Sequence, residues 1–422
     1  MLGWEFPPFI SGGLGTACYG LTKALDQLGV SVIFCLPRAV DSEYTTHVKL
    51  LTPTKKTWLK LNEFKNVTFR TIDSALQPYS TPDIYQQRIE DTLRQKQLMY
   101  HGSSGVAFFN GMHYSGDMYS EVHRYAALAE ELAEDEQFDV IHAHDWMTYP
   151  AGIAVAAVSG KPLIVHIHST EFDRSGEHVN QVIYDIEREG MERADKVIAV
   201  SYFTRSIIIS RYGISGDKVE VVHNGIERNG NWSLARTGIE KDEKIVLFLG
   251  RITMQKGPEY FLRAAKKVLE VMDNVKFVMA GSGDLMHRSI EMAAELGIGH
   301  KVLFTGFLHG EDVQKIYEMA DLYVMPSVSE PFGIAPLEAL NNDVPVIISK
   351  QSGVSEVLTH ALKVDFWDVN EIANKITAVL KYPPLGITLR DYGNFEARKL
   401  RWKDSAQKCL RIYEESLTAV KS

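Results

Sequence analysis

Cysteine is scarce in this chain of 422 residues: Cys18, Cys35 and Cys409, with no CxxC pair among them. An odd number without paired spacing argues against a disulfide scaffold and a thiolate zinc site, and suits a reducing compartment. Long apolar runs are missing too. No stretch approaches the roughly 18 apolar residues of a membrane span; the longest candidate is the small-residue run 151–158. The N-terminus Met1-Leu2-Gly3-Trp4-Glu5 lacks the basic and apolar regions of a signal peptide, so a cytoplasmic location is expected. Positive charge is not in excess. Lys and Arg number 45 against 54 Asp and Glu, a net charge of −9, which excludes a general nucleic-acid binder.

What remains is ordinary globular composition, 45% hydrophobic and 23% charged, in a chain long enough for two or three domains. Two halves separate by pattern. In the first, apolar residues at Leu14, Ala17, Cys18, Leu21, Leu25 and Leu28 predict a helix stopped by Gly29. Strand-like runs follow at 30–36, 140–143, 163–167 and 197–200, with helical patterns between them, which is βαβ alternation. The stretch 41–81 is irregular and reads as an insertion with β-like pieces at 48–51 and 67–69. From Lys49 to Arg70 it is basic: Lys49, Lys55, Lys56, Lys60, Lys65 and Arg70 face the single acid Glu63, a solvated β-insertion or a patch for an anionic surface. The acidic balance of the first half favours a neutral partner.

Residues 223–243 are rich in Gly, Asn and charge and read as a linker. Strand candidates then recur at 245–249, 275–280, 302–304, 322–325, 344–348 and 362–364, the rhythm of one doubly wound parallel sheet. An amphipathic helix from Trp402 to about Leu417 closes the chain. The boundaries expected are a first domain over 1–223 and a second over 224–401.

Five constellations carry chemistry. Ser11-Gly12-Gly13-Leu14-Gly15 sits between strand and helix, where small residues and a helix N-terminus suit phosphate; a tight turn would look the same. It matches neither the dinucleotide fingerprint nor the P-loop. Gly250-Arg251 with Lys256-Gly257 places two cations at a strand end, an arginine fork and a lysine point charge able to neutralise a diphosphate. Glu330 and Glu338 lie eight positions apart, one in a loop and one in the helix starting near Ile334. Apolar Leu337, Ala339 and Leu340 predict burial of Glu338, which then needs a partner. His142-Ala143-His144-Asp145-Trp146 and His166-Ile167-His168-Ser169-Thr170-Glu171 end two successive strands. These histidines read as a polar site lining, as core residues or, less favourably, as metal ligands, since neither Cys nor HExxH accompanies them.

In this order the motifs resemble a retaining nucleotide-sugar glycosyltransferase of the GT-B fold: family 4 and the related glycogen and starch synthases. The likeness spans nearly the whole chain. It implies two Rossmann-like domains with a cleft between them, the C-terminal helix 402–422 packing back onto the first domain, no cofactor, and a nucleotide sugar, UDP- or ADP-glucose, as donor to a saccharide acceptor. By this resemblance Gly13 lies against the donor diphosphate, and Arg251 and Lys256 clamp it. Glu330 contacts the donor sugar, helped by Phe332 and the amides of Gly333, Ile334 and Ala335. Glu338 holds the ribose hydroxyls, Gly281 and Ser282 line the nucleotide pocket, Phe307 sits by the base, and His168 stands beside the reacting sugar. His168, Glu330, Arg251 and Lys256 are the expected catalytic set; His144, Asp145 and Arg174 are candidates for the acceptor side. The family retains anomeric configuration, with a diphosphate oxygen taking the acceptor's proton. No metal is expected, and no Asp-x-Asp triplet occurs in the chain.

Two features lean away from a strict bacterial glycogen synthase: Ser11 where a Lys is usual before the first Gly-Gly, and the presence of Glu338. A sucrose-phosphate-synthase-like transfer to a sugar phosphate remains open, with Arg174 as the residue to watch. A nucleotide-sugar epimerase and a non-catalytic sugar-nucleotide binder are the competing classes.

Overall fold

The computed structural model describes residues 1–6, 12–37, 65–72, 118–227 and 243–420. Ser11, the basic stretch 49–64, the β-like piece 48–51 and most of the linker, 228–242, lie outside the described residues. Two compact units emerge: residues 1–166 with 186–197 and 412–422, and residues 167–185 with 198–411.

In the first unit the helix Gly13–Gln27 buries Leu14, Ala17, Cys18, Leu21 and Leu25, the face read from the sequence. The strand β1 (Val32–Pro37) pairs in parallel with β2 (Val67–Ile72). The β-like piece read at 67–69 is thus part of a strand that runs on to Ile72. Leu2 bridges both Cys35 and Ala143. The strands β3 (Ile141–His144), β4 (Leu163–Ile167), β5 (Lys196–Ala199) and β6 (Val219–Val221) form a parallel-type sheet in that order. Every side chain of β3 and β4 is buried, on both faces, which explains the unbroken apolar runs there.

The second unit holds β7 (Lys244–Leu249), β8 (Val275–Ala280), β9 (Val302–Gly306), β10 (Leu322–Met325), β11 (Val346–Ser349) and β12 (Leu362–Val364) in the order β12-β11-β10-β7-β8-β9. The period of two sorts these side chains between two cores. Val246, Phe248, Phe277, Met279, Leu322 and Val324 meet the helices Pro258–Leu269 and Val369–Lys381 on one face. Leu247, Val278, Tyr323 and Ile348 meet the helix Ile334–Asn341 on the other. Each such fully buried side chain contributes about 1.5–3 kcal/mol. Strand order reverses between β7 and β10, and Tyr323 donates its hydroxyl across that switch point to the Leu249 carbonyl at 3.2 Å. A doubly wound sheet binds its ligand at the carboxyl ends around such a reversal.

Candidate functional site

The carboxyl ends of β7, β8 and β9 are zipped together by backbone. Gly250 N–H donates to the Ala280 carbonyl at 3.0 Å, Ile252 N–H to Ser282 at 2.9 Å, and Gly281 N–H to Gly306 at 2.8 Å. Only glycine fits at Gly281: its φ is +140°, and a Cβ there would stand 1.9 Å from the Gly250 carbonyl oxygen. The zip sets Arg251 and Ser282 side by side at the strand ends. Gly257 is equally constrained, at φ +66°, with a Cβ position 2.1 Å from the Pro326 carbonyl oxygen. That close approach brings the turn holding Lys256 against the loop that follows β10.

In that loop the Glu330 carboxylate receives Lys256 Nζ at 2.5 Å and Ser327 Oγ at 3.5 Å. The lysine and glutamate side chains are 20% and 10% exposed. An ammonium has three donors, so one held by Glu330 leaves others for a ligand. Arg251 donates through Nη2 to Gln255 Oε1 at 3.0 Å, and Gln255 in turn accepts the Val328 amide at 2.9 Å. The loop is pinned by backbone on one side: Glu330 N–H to the Gln351 carbonyl and Gly353 N–H to the Glu330 carbonyl, both at 2.9 Å. Ser201 Oγ adds a bond to the Pro331 carbonyl at 2.6 Å. Phe332 is buried, and Gly333 turns the chain at φ +102° into the helix Ile334–Asn341. The amides of that first turn have no intrahelical acceptor, a local positive potential beside Glu330.

Glu338 lies one turn further along. Tyr317 donates to its Oε2 at 3.1 Å and to the Ala335 carbonyl at 3.2 Å. Burial raises the Glu338 carboxyl above the usual range, and the tyrosine bond offsets part of that rise. Phe307, after β9, is half exposed and meets His309 edge-on at 4.5 Å between centroids. Arg251, Lys256, Gly281, Ser282, Phe307, Glu330, Phe332, Gly333, Ile334, Ala335 and Glu338 therefore all belong to carboxyl-end segments of one sheet.

The segment 167–185 belongs to the same unit. His168 follows β4, and burial pushes its imidazole down to about 3, so it is neutral at pH 7. Arg174 binds Glu171 at 3.0 Å and the Ser169 carbonyl at 3.2 Å, so its guanidinium is already engaged. Asp173, which sequence reasoning passed over, is 1% exposed and accepts Ser329 Oγ at 2.5 Å. The Thr170-x-x-Asp173 spacing is a capping-box signature legible in the sequence; its tie to Ser329 is not.

In the first unit Gly13 is the first residue of its helix, and a Cβ there would meet nothing within 4 Å. Among the described residues that side is open to the approach of a ligand. Glu5 accepts the amide of the neighbouring Gly12. Asp145 leaves β3 at φ 60°, a conformation that costs about 1–3 kcal/mol and concentrates at functional sites. His144 is fully buried and stacks on His142 at 4.3 Å. His142 bonds Tyr413 Oη at 2.6 Å through Nδ1 and His166 Nδ1 at 3.2 Å through Nε2. Nitrogens of the three rings lie within 4.8 Å of one another, yet stacked rings with both His142 nitrogens engaged describe a hydrogen-bonded stack better than ligands converging on one ion. No helix among the described residues is long and apolar enough to cross a membrane.

Comparison with known proteins accords with this geometry. The family model described as Glycosyltransferase Family 4 matches residues 90–229, and that described as Glycosyl transferases group 1 matches residues 233–396. An uncharacterized glycosyltransferase of Methanocaldococcus jannaschii is 32% identical over 379 residues, covering 85% of this chain and 82% of that protein. A glycogen synthase of Mycobacterium tuberculosis is 24% identical, covering 85% and 79%. The structure of HepE from Anabaena in complex with UDP-glucose superposes with a TM-score of 0.69 at 18% identity, covering 99% and 98%. Two family models in the expected order, a full-length relative above 30% identity and a shared architecture lead to one conclusion: the chain belongs to the family 4 glycosyltransferases and has the GT-B fold.

Proposed function

We propose that this chain transfers a hexose, glucose before others, from UDP- or ADP-glucose to a saccharide hydroxyl, with retention of configuration and without a metal. The observation that carries the reading is the Lys256–Glu330 pair beside Arg251, at the carboxyl ends of the switch-point strands. Cleavage of an anomeric bond leaves an oxocarbenium-like sugar and a diphosphate anion. Arg251, Lys256 and the amides opening the helix Ile334–Asn341 stabilise that anion as it forms, where fixed donors act without reorganising. Glu330 orients the lysine and accepts from sugar hydroxyls. Glu338, kept in place by Tyr317, receives the ribose hydroxyls. Phe307 offers an exposed ring to the base. Neutral His168 stands near the sugar as an uncharged donor or acceptor. Gly13, with open space before it, approaches the diphosphate; His144, Asp145 and Arg174 serve the acceptor. Residues 224–401 form the donor-binding domain in this scheme.

The glycogen synthase relative and the UDP-glucose complex of HepE support a glucosyl donor and an α-glucan acceptor. The test is a donor panel of UDP-glucose, ADP-glucose, GDP-mannose and UDP-N-acetylglucosamine, scored for nucleotide release with and without glycogen, maltooligosaccharide or fructose 6-phosphate. Acceptor-dependent release from UDP- or ADP-glucose, abolished by Glu330→Ala and Lys256→Ala, is the expected result. Nucleotide-sugar interconversion without any acceptor would replace transfer by epimerisation. Binding without release under every acceptor would point to a non-catalytic role.

A further inference from the structure

The capping box of the helix Glu171–Ser175 is complete within its own segment. Thr170 donates to Asp173 Oδ2 from its amide at 2.7 Å and from its hydroxyl at 2.8 Å, and the Thr170 hydroxyl accepts the Asp173 amide at 3.3 Å. All of this uses one carboxylate oxygen. The other, Oδ1, accepts Ser329 Oγ at 2.5 Å, across 156 positions of sequence. Asp173 is 1% exposed and Ser329 half-buried, so the carboxylate end of the bond is shielded from water. Burial raises the Asp173 carboxyl, and the Ser329 and Thr170 hydrogen bonds and the Arg174 charge oppose that rise.

Ser329 directly precedes Glu330, and Asp173 lies five positions after His168. The same short helix packs against the turn Met254–Lys256. The Glu330 loop is gripped through its backbone by 351–353, and through a side chain by Asp173. A plain helix cap has no use for the second grip, because the cap is already closed.

We propose that Asp173 and Ser329 are a positioning pair: Asp173, through Ser329, sets the Glu330 carboxylate in register with the His168 segment against the transferred sugar. This rests on the reading of Glu330 as the residue that meets the donor sugar. The pair acts on the sugar end of the donor and leaves the diphosphate clamp of Arg251 and Lys256 untouched. Its signature is therefore a change in how much the glucosyl group adds to nucleotide affinity, together with a fall in kcat.

The experiment measures calorimetric affinity for UDP, UDP-glucose, ADP and ADP-glucose, kcat with the acceptor found active, and thermal midpoint. It uses the full chain as wild type, Ser329→Ala, Ser329→Thr, Asp173→Asn, the Ser329→Ala/Asp173→Asn double variant and Glu330→Ala. Ser329→Ala is expected to keep UDP affinity, to lower the thermal midpoint by about a few degrees as the Asp173 carboxylate loses a partner, to lose the affinity increment of the sugar, and to drop kcat about 10- to 100-fold, the scale of a small misplacement. Ser329→Thr restores most of both, and the double variant is no worse than Asp173→Asn alone. Wild-type values in Ser329→Ala, with Glu330→Ala inactive, overturn the pair and spare the donor reading. Multiplying effects in the double variant overturn it as well. Wild-type sugar increment and turnover in Glu330→Ala overturn the donor reading, and a chain that binds none of UDP, UDP-glucose, ADP and ADP-glucose overturns both.

Discussion

Replacing Lys256 by Met removes one charge and keeps most of the stem. Glu330 then stands with its side chain one-tenth exposed and its countercharge gone. Breaking a fully buried ion pair costs about 3–5 kcal/mol, because the surviving charge is left uncompensated. Exposed pairs are worth about 0–1 kcal/mol. With 20% and 10% exposure this pair falls between, and a loss of about 2 kcal/mol follows. In a domain of this size that lowers the thermal midpoint by about 4–8 °C. The Lys256→Met/Glu330→Gln double variant removes the stranded charge and is expected to regain most of that loss. Its activity should not return. Deleting one preorganised donor for a departing anion costs about 10²–10³ in kcat, and neither Met nor Gln supplies it. The assay is thermal unfolding of both variants, followed by nucleotide release from UDP- or ADP-glucose. A double variant as unstable as Lys256→Met would refute the ion-pair account. Turnover near wild type in Lys256→Met would refute the placement of the cation at the diphosphate.

Further outcomes follow from the same geometry. Gly281→Ala puts a methyl carbon on the Gly250 carbonyl oxygen and holds a side chain at φ +140°; the strand-end zip must open, so thermal stability and UDP affinity should fall together, and a folded variant with intact UDP affinity would contradict the requirement for glycine. Tyr317→Phe removes two hydrogen bonds made by one hydroxyl, one of them to a carboxylate; a loss of about 1–3 kcal/mol is expected on urea unfolding. Glu338→Gln should weaken UDP binding about tenfold, the scale of one lost charge-assisted hydrogen bond, and leave inorganic pyrophosphate binding unchanged; equal losses for both ligands would move Glu338 away from the ribose. His168 has its imidazole lowered to about 3, so between that value and the unfolded value near 6.5 the unfolded chain binds the extra proton. Stability from this residue is present above that window and is lost as pH falls through it, with a slope of at most about 1.4 kcal/mol per pH unit. His168→Asn should flatten that dependence in melts between about pH 4 and pH 7, and an unchanged slope would contradict burial of a neutral ring.

Much of this protein was readable before any coordinate. Apolar runs bounded by helical periodicity specify buried parallel strands, because a strand covered on both faces has no polar side to show. The strands 163–167, 275–280, 322–325 and 362–364 lie where the sequence placed them. Glycine next to a cation at a strand end also speaks locally, since only glycine tolerates the close approach now seen at Gly281 and Gly257. Other features stayed hidden. The β-like piece at 67–69 shows in the pattern, but its extension to Ile72, its pairing with β1 and the contact of Arg70 with Glu136 at 2.7 Å do not. No local pattern announces that Tyr317 holds Glu338 or that Asp173 holds Ser329. The sequence by itself determined the order of elements, the doubly wound alternation and the residue types at each strand end, because periodicity and backbone sterics act over a few residues. Only the tertiary structure decided which carboxylate keeps which partner, because burial and hydrogen bonding depend on side chains far apart in the chain, 156 positions for Asp173 and Ser329.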